Sequence, residues 1–242
     1  MKIGLAQINS QPGKIDVNIE KHLEAINLAS NEHCDLIAFP ELSLTGYEPE
    51  LANSFSGISK EKRLEVFHEI AYNKNITIAI GLPISEAGEN YIGMHIYRPN
   101  KEATVYTKGK LHEDEISHFS GKKSNPIIKV DNSLISIGIC YETMFEEPFS
   151  EANKINSDIY LASVAKAKIG IDKSYIHFPE MANKYSTPIL MVNAVGQCTD
   201  FLNHGNSGIW DYNGKLIMSL DSREESILVY DSIANSASKI KL

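Results

Sequence analysis

Cysteine is scarce in this sequence, and its few occurrences follow no pattern. Only three occur among 242 residues, far apart and odd in number, at Cys34, Cys140 and Cys198. This spacing excludes a disulfide framework and lacks the paired arrangement of a structural zinc site. A chain with so few unpaired thiols is typical of a reducing compartment, so we predict a cytoplasmic protein.

Long apolar runs and an excess of positive charge are also missing. No apolar run approaches the roughly 20 residues of a membrane span, and residues 1–10 lack the apolar core of a secretory signal. Lys and Arg number 23 against 31 Asp and Glu, and the resulting net charge of -8 repels phosphate backbones and anionic bilayers. We therefore expect no membrane partner and no nucleic-acid partner.

What the sequence does contain is an ordinary share of apolar residues in alternating patterns. Apolar residues make up 43% of the chain, enough for a sizeable core. Strand-length apolar runs alternate with helical spacing, and hairpin signals interrupt the alternation around residues 91–107 and 207–220. These patterns predict an α/β fold, a four-layer αββα sandwich with two mixed β-sheets, in a single domain spanning residues 1–242.

Several predicted elements can be compared directly with the structure. Residues 34–39, 134–139 and 189–195 have the pattern of buried strands, and residues 60–73 and 172–185 have the spacing of helices. Asn213-Gly214 is a strong hairpin signal because both residues tolerate positive φ.

Three side chains at predicted strand ends form a candidate catalytic set. Cys140 ends the apolar run 134–139, Glu41 follows a strand directly, and Lys108 lies just past residues 103–107. Singly, each has an ordinary alternative: an inert buried cysteine, a solvated loop acid or a surface lysine. Together they supply the nucleophile, the base and the positive charge that amide hydrolysis requires. This chemistry needs no cofactor, and the eight scattered histidines indicate no metal site.

These residues lie in three segments that resemble the catalytic motifs of the nitrilase superfamily, the carbon–nitrogen hydrolases with a Glu-Lys-Cys triad. The segments occur in the family's order, with sequences FPELSLTGY at 39–47, YTKGKL at 106–111 and GICYE at 138–142. The resemblance implies an αββα sandwich in which Glu41 is the general base, Lys108 stabilises the oxyanion and Cys140 forms a thioester. It also implies that Glu115, four residues before a phenylalanine, positions the substrate and Lys108.

The predicted substrate contacts are Tyr47, Tyr141, Ser163 and Ala165. Residues 161–166, LASVAK, differ from the asparagine- or tryptophan-containing stretch that several family members have at this place. The substrate specificity of those members therefore does not carry over to this chain. We expect a hydrolase that cleaves a non-peptide C–N bond in a small-molecule amide or carbamoyl substrate. The alternatives are an N-acyltransferase that uses the same triad and a non-catalytic binding or assembly protein. The resemblance further implies a homodimer or a larger homo-oligomer.

Overall fold

The computed structural model describes residues 1–122, 124 and 127–242. Its largest sheet has seven strands, and those at its centre are short runs of β-branched and aliphatic residues. From one edge to the other the strands are β15 (Ser236–Lys241), β14 (Ser226–Asp231), β1 (Lys2–Gln7), β2 (Leu36–Ala38), β3 (Thr77–Glu86), β4 (Glu89–Arg98) and β5 (Lys101–Thr107).

A second sheet of six strands faces the first. Its order is β13 (Leu216–Ser219), β12 (Gly208–Trp210), β9 (Ile189–Asn193), β8 (Ile159–Val164), β7 (Ser133–Ile139) and β6 (Ile127–Val130). A small pair of strands, β10 (Val195–Gln197) and β11 (Leu202–His204), lies beside it. The central strands pair in parallel and the outer strands pair antiparallel in both large sheets, so both sheets are mixed.

Four α-helices cover the outer faces of the sheets in the described part of the chain. Helices α1 (Ile15–Asn31) and α2 (Glu65–Lys74) pack on the first sheet, and α3 (Glu147–Lys154) and α4 (Lys168–Tyr185) pack on the second. Short 3-10 helices occur at Pro49–Phe55, Ile58–Lys60, Lys62–Leu64 and Cys140–Met144.

Alternation along the strands builds three apolar layers from these elements. Leu5 and Leu161 point into the core between the sheets, whereas their neighbours Ala6 and Ala162 pack beneath the helices. Since successive side chains of a strand point to opposite faces, each central strand contributes to two layers. The predicted four-layer αββα sandwich is thereby confirmed.

Local details differ from the sequence predictions at the ends of several elements. Helix α2 begins at Glu65 rather than residue 60, and α4 begins at Lys168, before the predicted residue 172. The predicted strand 189–195 breaks after Asn193, whose side chain bonds two loop carbonyls. The hairpin at Asn213-Gly214 has a longer loop than a two-residue turn, because the Asp211 carboxylate accepts hydrogen bonds from two backbone N–H groups within it.

Strand β15 was not predicted, since its sequence SASKIK is polar and its burial is slight. It forms by pairing along the whole length of β14. Within the described residues, none of the helices has both the length and the apolar character that crossing a bilayer requires.

Candidate active site

Glu41, Lys108 and Cys140 meet where strands of the two sheets end. Glu41 follows β2, Lys108 directly follows β5, and Cys140 directly follows β7. The turn that carries Glu41 crosses Gly81 so closely that a Cβ there would lie 2.3 Å from the carbonyl oxygen of Pro40. The glycine in β3 therefore allows the Glu41 turn to enter the space between the sheets.

Lys108 is held between two carboxylates. Its Nζ lies 2.7 Å from Glu41 Oε1 and 2.6 and 2.9 Å from the two oxygens of Glu115. The three side chains are completely inaccessible to solvent. Burial of an ammonium is tolerated when opposite charges and hydrogen bonds surround it, so this arrangement gives Lys108 a single position.

Glu115 is fixed in turn by groups from two loops. The Tyr47 hydroxyl donates a hydrogen bond to Glu115 Oε1 at 2.9 Å, and the His112 backbone N–H donates to Oε2 at 2.7 Å. Together with Lys108, these donors occupy both carboxylate oxygens. These contacts hold the Glu115 carboxylate in one position beside Lys108, and they direct the Tyr47 hydroxyl at Glu115.

Cys140 lies in a strained elbow between β7 and the 3-10 helix Cys140–Met144. Its φ is 45°, a left-handed value that is rare outside glycine. The preceding Gly138 makes room for this turn, since a Cβ there would lie 2.1 Å from the Tyr160 hydroxyl. The thiol points to the carbonyl of Ala165, with the sulfur 3.6 Å from the oxygen. Such elbows present a nucleophile above the end of a sheet.

Glu142 is a site residue to which the sequence analysis assigned no role. Its carboxylate accepts hydrogen bonds from the backbone N–H groups of Ile139 at 2.7 Å and Gly109 at 2.9 Å, and from the Tyr106 hydroxyl. It therefore connects the cysteine elbow to the segment that carries Lys108. The sequence did contain a signal, because Glu142 is the third residue of the short helix that begins at Cys140. A glutamate at that position often accepts a hydrogen bond from the backbone N–H of the residue just before the helix.

Burial and charge shift the pKa values of the site in a consistent way. Burial raises the pKa of Glu41 to about 7, against the opposing effect of Lys108, and the charge of Glu115 raises it further. Burial raises the pKa of Cys140 to about 12, and Glu41 adds to this while Lys108 and Lys166 oppose it. Burial lowers the pKa of Lys108, but Glu41 and Glu115 outweigh that effect and leave it above its ordinary value.

The other predicted substrate contacts, Ser163, Ala165 and Tyr141, differ in their burial and in the groups that they contact. Ser163 is buried, and its hydroxyl donates a hydrogen bond of 2.8 Å to the carbonyl of Phe39, across the two sheets. Ala165 contributes the carbonyl that faces the thiol. Tyr141 is 36% exposed and packs edge-on against His112 and Phe145. Among the described residues, no group of His, Cys, Asp and Glu side chains is arranged to hold a metal ion.

Comparison with known proteins agrees with this architecture. Residues 2–240 match the family model described as Carbon-nitrogen hydrolase. A glutamine-dependent NAD(+) synthetase from Thermotoga maritima is 24% identical over 241 residues, which cover 96% of this chain and 42% of that protein. A probable nitrilase from Schizosaccharomyces pombe is 25% identical over 243 residues, covering 95% of this chain and 88% of that protein. The chain thus spans less than half the length of the synthetases it matches.

Solved structures share the fold. An amidase from Nesterenkonia sp. superposes with a TM-score of 0.87 at 23% identity, covering 95% of this chain and 89% of that chain. A variant of the amidase from Nesterenkonia sp. AN1, with acrylamide added at its active-site cysteine, gives a TM-score of 0.88 at 22% identity, covering 96% and 92%. Because the family model extends over nearly its whole length, this chain belongs to the carbon–nitrogen hydrolases of the nitrilase superfamily.

Proposed function

We propose that this protein is an amidase that hydrolyses a small-molecule amide through a thioester on Cys140. One observation carries the proposal: a buried ammonium, Lys108, is clamped by Glu41 and Glu115 at the point where the Cys140 elbow emerges. This observation supports the proposal, because acyl transfer from an amide requires a nucleophile, a base and a fixed positive charge close together, and a thiol, a carboxylate and an ammonium meet here.

Acylation begins with proton transfer from the thiol to Glu41. Glu41 Oε1 accepts a hydrogen bond from Lys108 Nζ, whereas Oε2 is buried and has no hydrogen bond of ordinary geometry within the described residues. We assign Oε2 as the acceptor of the Cys140 proton. As sulfur adds to the carbonyl carbon, the oxygen becomes negative, and Lys108 with the Tyr141 backbone N–H stabilises it.

The intermediate collapses when the C–N bond breaks. Glu41, now protonated, delivers its proton to the departing nitrogen, so ammonia or an amine leaves and a thioester remains on Cys140. Water then adds to the thioester carbonyl after giving a proton to Glu41. Breaking the C–S bond releases the carboxylic acid, and the proton returns to sulfur, which restores the enzyme.

The test measures ammonia release from simple primary amides and the mass of the acylated protein. Replacing Cys140 with Ala should lower turnover at least about 1000-fold, as removal of a nucleophile does in other hydrolases. Cys34→Ala is the matched control, because Cys34 is a buried thiol packed between helices and the first sheet. Retained turnover in the Cys140→Ala protein would refute the mechanism.

Product analysis with an added amine separates hydrolysis from acyl transfer. A hydrolase releases the free acid whether or not the amine is present. Formation of an N-acyl product in place of the acid would identify the protein as an acyltransferase on the same triad. Absence of both turnover and acylation across small amides would favour a non-catalytic binding protein.

A further inference from the structure

Lys166 is a second buried lysine beside the candidate active site. It follows β8, the strand that pairs in parallel with β7, so Lys166 and Cys140 lie at the same edge of the second sheet. The preceding residue, Ala165, supplies the carbonyl that the Cys140 thiol faces at 3.6 Å. The charge of Lys166 acts on Cys140, Glu41 and Lys108, so Lys166 lies within electrostatic range of the site.

The backbone of Lys166 is held on both sides. Its N–H donates to Asn193 Oδ1 at 2.8 Å, and its carbonyl accepts hydrogen bonds from Asn193 Nδ2 at 3.1 Å and the His204 N–H at 2.9 Å. Its aliphatic stem lies against Gly170, where an added Cβ would be 3.2 Å from the Lys166 Cβ. The backbone hydrogen bonds and the contact with Gly170 therefore limit the positions that the Lys166 side chain can adopt.

The Lys166 ammonium differs from that of Lys108 in having no anionic partner. Lys166 is only 7% exposed. Within the residues that the structure describes, no carboxylate forms an ion pair with it and no side-chain hydrogen bond to it is found, whereas Lys108 has two carboxylates. The Lys166 Nζ is not among the fully buried polar atoms that lack a partner, so the ammonium keeps contact with solvent although most of its side chain is buried. A mostly buried ammonium without an ion pair favours the approach of an anionic group.

The adjacent helix adds to the positive character of this place. Helix α4 begins at Lys168, and its N-cap residue, Ala167, has no side chain that could accept a hydrogen bond from the first turn. The N-terminus of a helix carries a partial positive charge. The start of α4 therefore adds to the positive potential at the end of β8, where Lys166 lies.

We propose that Lys166 binds a carboxylate of the substrate, so that the preferred substrate is a small primary amide carrying a carboxylate group. The proposal rests on the amidase function proposed above. In the proposed mechanism Lys108 stabilises the oxygen that becomes negative during the reaction. The Lys166 ammonium is therefore available to bind a permanent negative charge on the substrate. The carboxylate would give Lys166 the partner that it lacks in the free protein.

The test compares succinamate with butyramide, two primary amides of equal chain length that end in a carboxylate and a methyl group. Wild-type protein should prefer succinamate. For Lys166→Gln, kcat/KM for succinamate should fall about 10- to 100-fold, as expected when a charge-assisted hydrogen bond is lost, while the value for butyramide stays within about threefold. Lys173→Gln removes the same charge from the exposed side of α4 and should leave both substrates nearly unchanged.

Equal losses for the two amides in Lys166→Gln would overturn the proposal, because Lys166 would then act on the thiol or the oxyanion. A wild-type protein that hydrolyses butyramide as well as succinamate would overturn it too. Thermal unfolding of Lys166→Gln without ligand checks the fold, and loss of a charge that has no ion pair should leave the melting temperature nearly unchanged.

Binding measurements separate this proposal from the proposed function. Calorimetry on Cys140→Ala should detect succinamate, and adding Lys166→Gln should weaken that binding at least about tenfold. If wild-type protein hydrolyses neither amide, the proposed function fails. The binding of succinamate to the Cys140→Ala protein then tests the carboxylate site independently of catalysis. Succinamate binding that depends on Lys166 upholds the carboxylate site, whereas binding that is absent or indifferent to Lys166 overturns it.

Discussion

In the proposed mechanism Glu41 and Cys140 form a proton-transfer pair, and their surroundings set the direction of the transfer. With the pKa of the thiol at about 12 and that of the carboxyl at about 7, the thiol is protonated at neutral pH and Glu41 is partly ionised. The nucleophile is therefore not a standing thiolate. In the proposed mechanism the thiolate forms only as the proton passes to Glu41 during attack, so the rate should depend on the charge state of Glu41.

The pH profile of kcat/KM for butyramide should reflect the titration of Glu41. Activity requires the ionised carboxylate, so it should fall as the pH drops through about 7, the pKa of Glu41. Glu115 raises that pKa through its negative charge, so Glu115→Gln should move the acidic limb to lower pH. The same substitution weakens the hold on Lys108 and should lower the maximal rate.

Glu113→Gln is the control for this shift, because Glu113 is an exposed acid in the same loop and should leave the profile in place. A limb that stays unchanged or moves upward in Glu115→Gln would contradict the assignment of Glu41 as the base.

Two elements of different sheets are connected at the site through Glu142. Lys108 follows strand β5 and Cys140 follows strand β7, and the Glu142 carboxylate accepts hydrogen bonds from the backbone at the end of each strand. A carboxylate can accept hydrogen bonds at both oxygens, whereas an amide has one acceptor and one donor side. The relative position of the two strand ends therefore depends on an acid at this position.

Glu142→Gln should accordingly reduce turnover of small amides by about 10- to 100-fold, because misplacement of the reacting groups is costly, while the protein stays folded. Steady-state rates and circular dichroism measure the two effects. Glu146→Gln alters an exposed ion pair with Lys184 and should change neither. Full activity in Glu142→Gln would show that the connection is dispensable.

Strand β7 can also be tested through Gly138. An alanine there would clash with the Tyr160 hydroxyl and with Thr143, so Gly138→Ala should cost about 1–3 kcal/mol of unfolding free energy and reduce activity by displacing the elbow. Gly4→Ala in β1 is the control, since its Cβ would make contacts of ordinary length, 3.4 Å or more. Urea unfolding compares the two variants, and equal stabilities would contradict the packing at the elbow.

At the scale of the whole molecule, the site exists because two sheets face each other. Glu41 and Lys108 come from the first sheet and Cys140 from the second. The hydrogen bond from Ser163 to the Phe39 carbonyl crosses between them next to the site. A homo-oligomeric state, a single domain over residues 1–242 and a cytoplasmic location stay predictions.

The core between the sheets should dominate stability. Leu161 is 0% exposed within it, so Leu161→Ala should lower the unfolding free energy by about 2–5 kcal/mol through lost burial and the cavity left behind. Leu202 is 58% exposed, and Leu202→Ala should change stability by less than about 0.5 kcal/mol. Denaturant titration measures both. A small effect at Leu161 would contradict the layered packing.

The sequence by itself determined the α/β layering and the strand-end positions of Glu41, Lys108 and Cys140, because apolar periodicity and residue chemistry are local properties of the chain. It did not reveal β15, whose polar residues form a strand only through pairing with β14.

Only the tertiary structure decided what each polar group contacts. In the structure the Tyr47 hydroxyl bonds to the Glu115 carboxylate and the Ser163 hydroxyl bonds to the Phe39 carbonyl. The Glu142 carboxylate connects the ends of two strands. Among the described residues the tertiary structure also left the Lys166 ammonium without an ion pair. The physical reason is that hydrogen bonds and charge pairs join residues distant in sequence, so burial and partners are known only when the sheets are assembled.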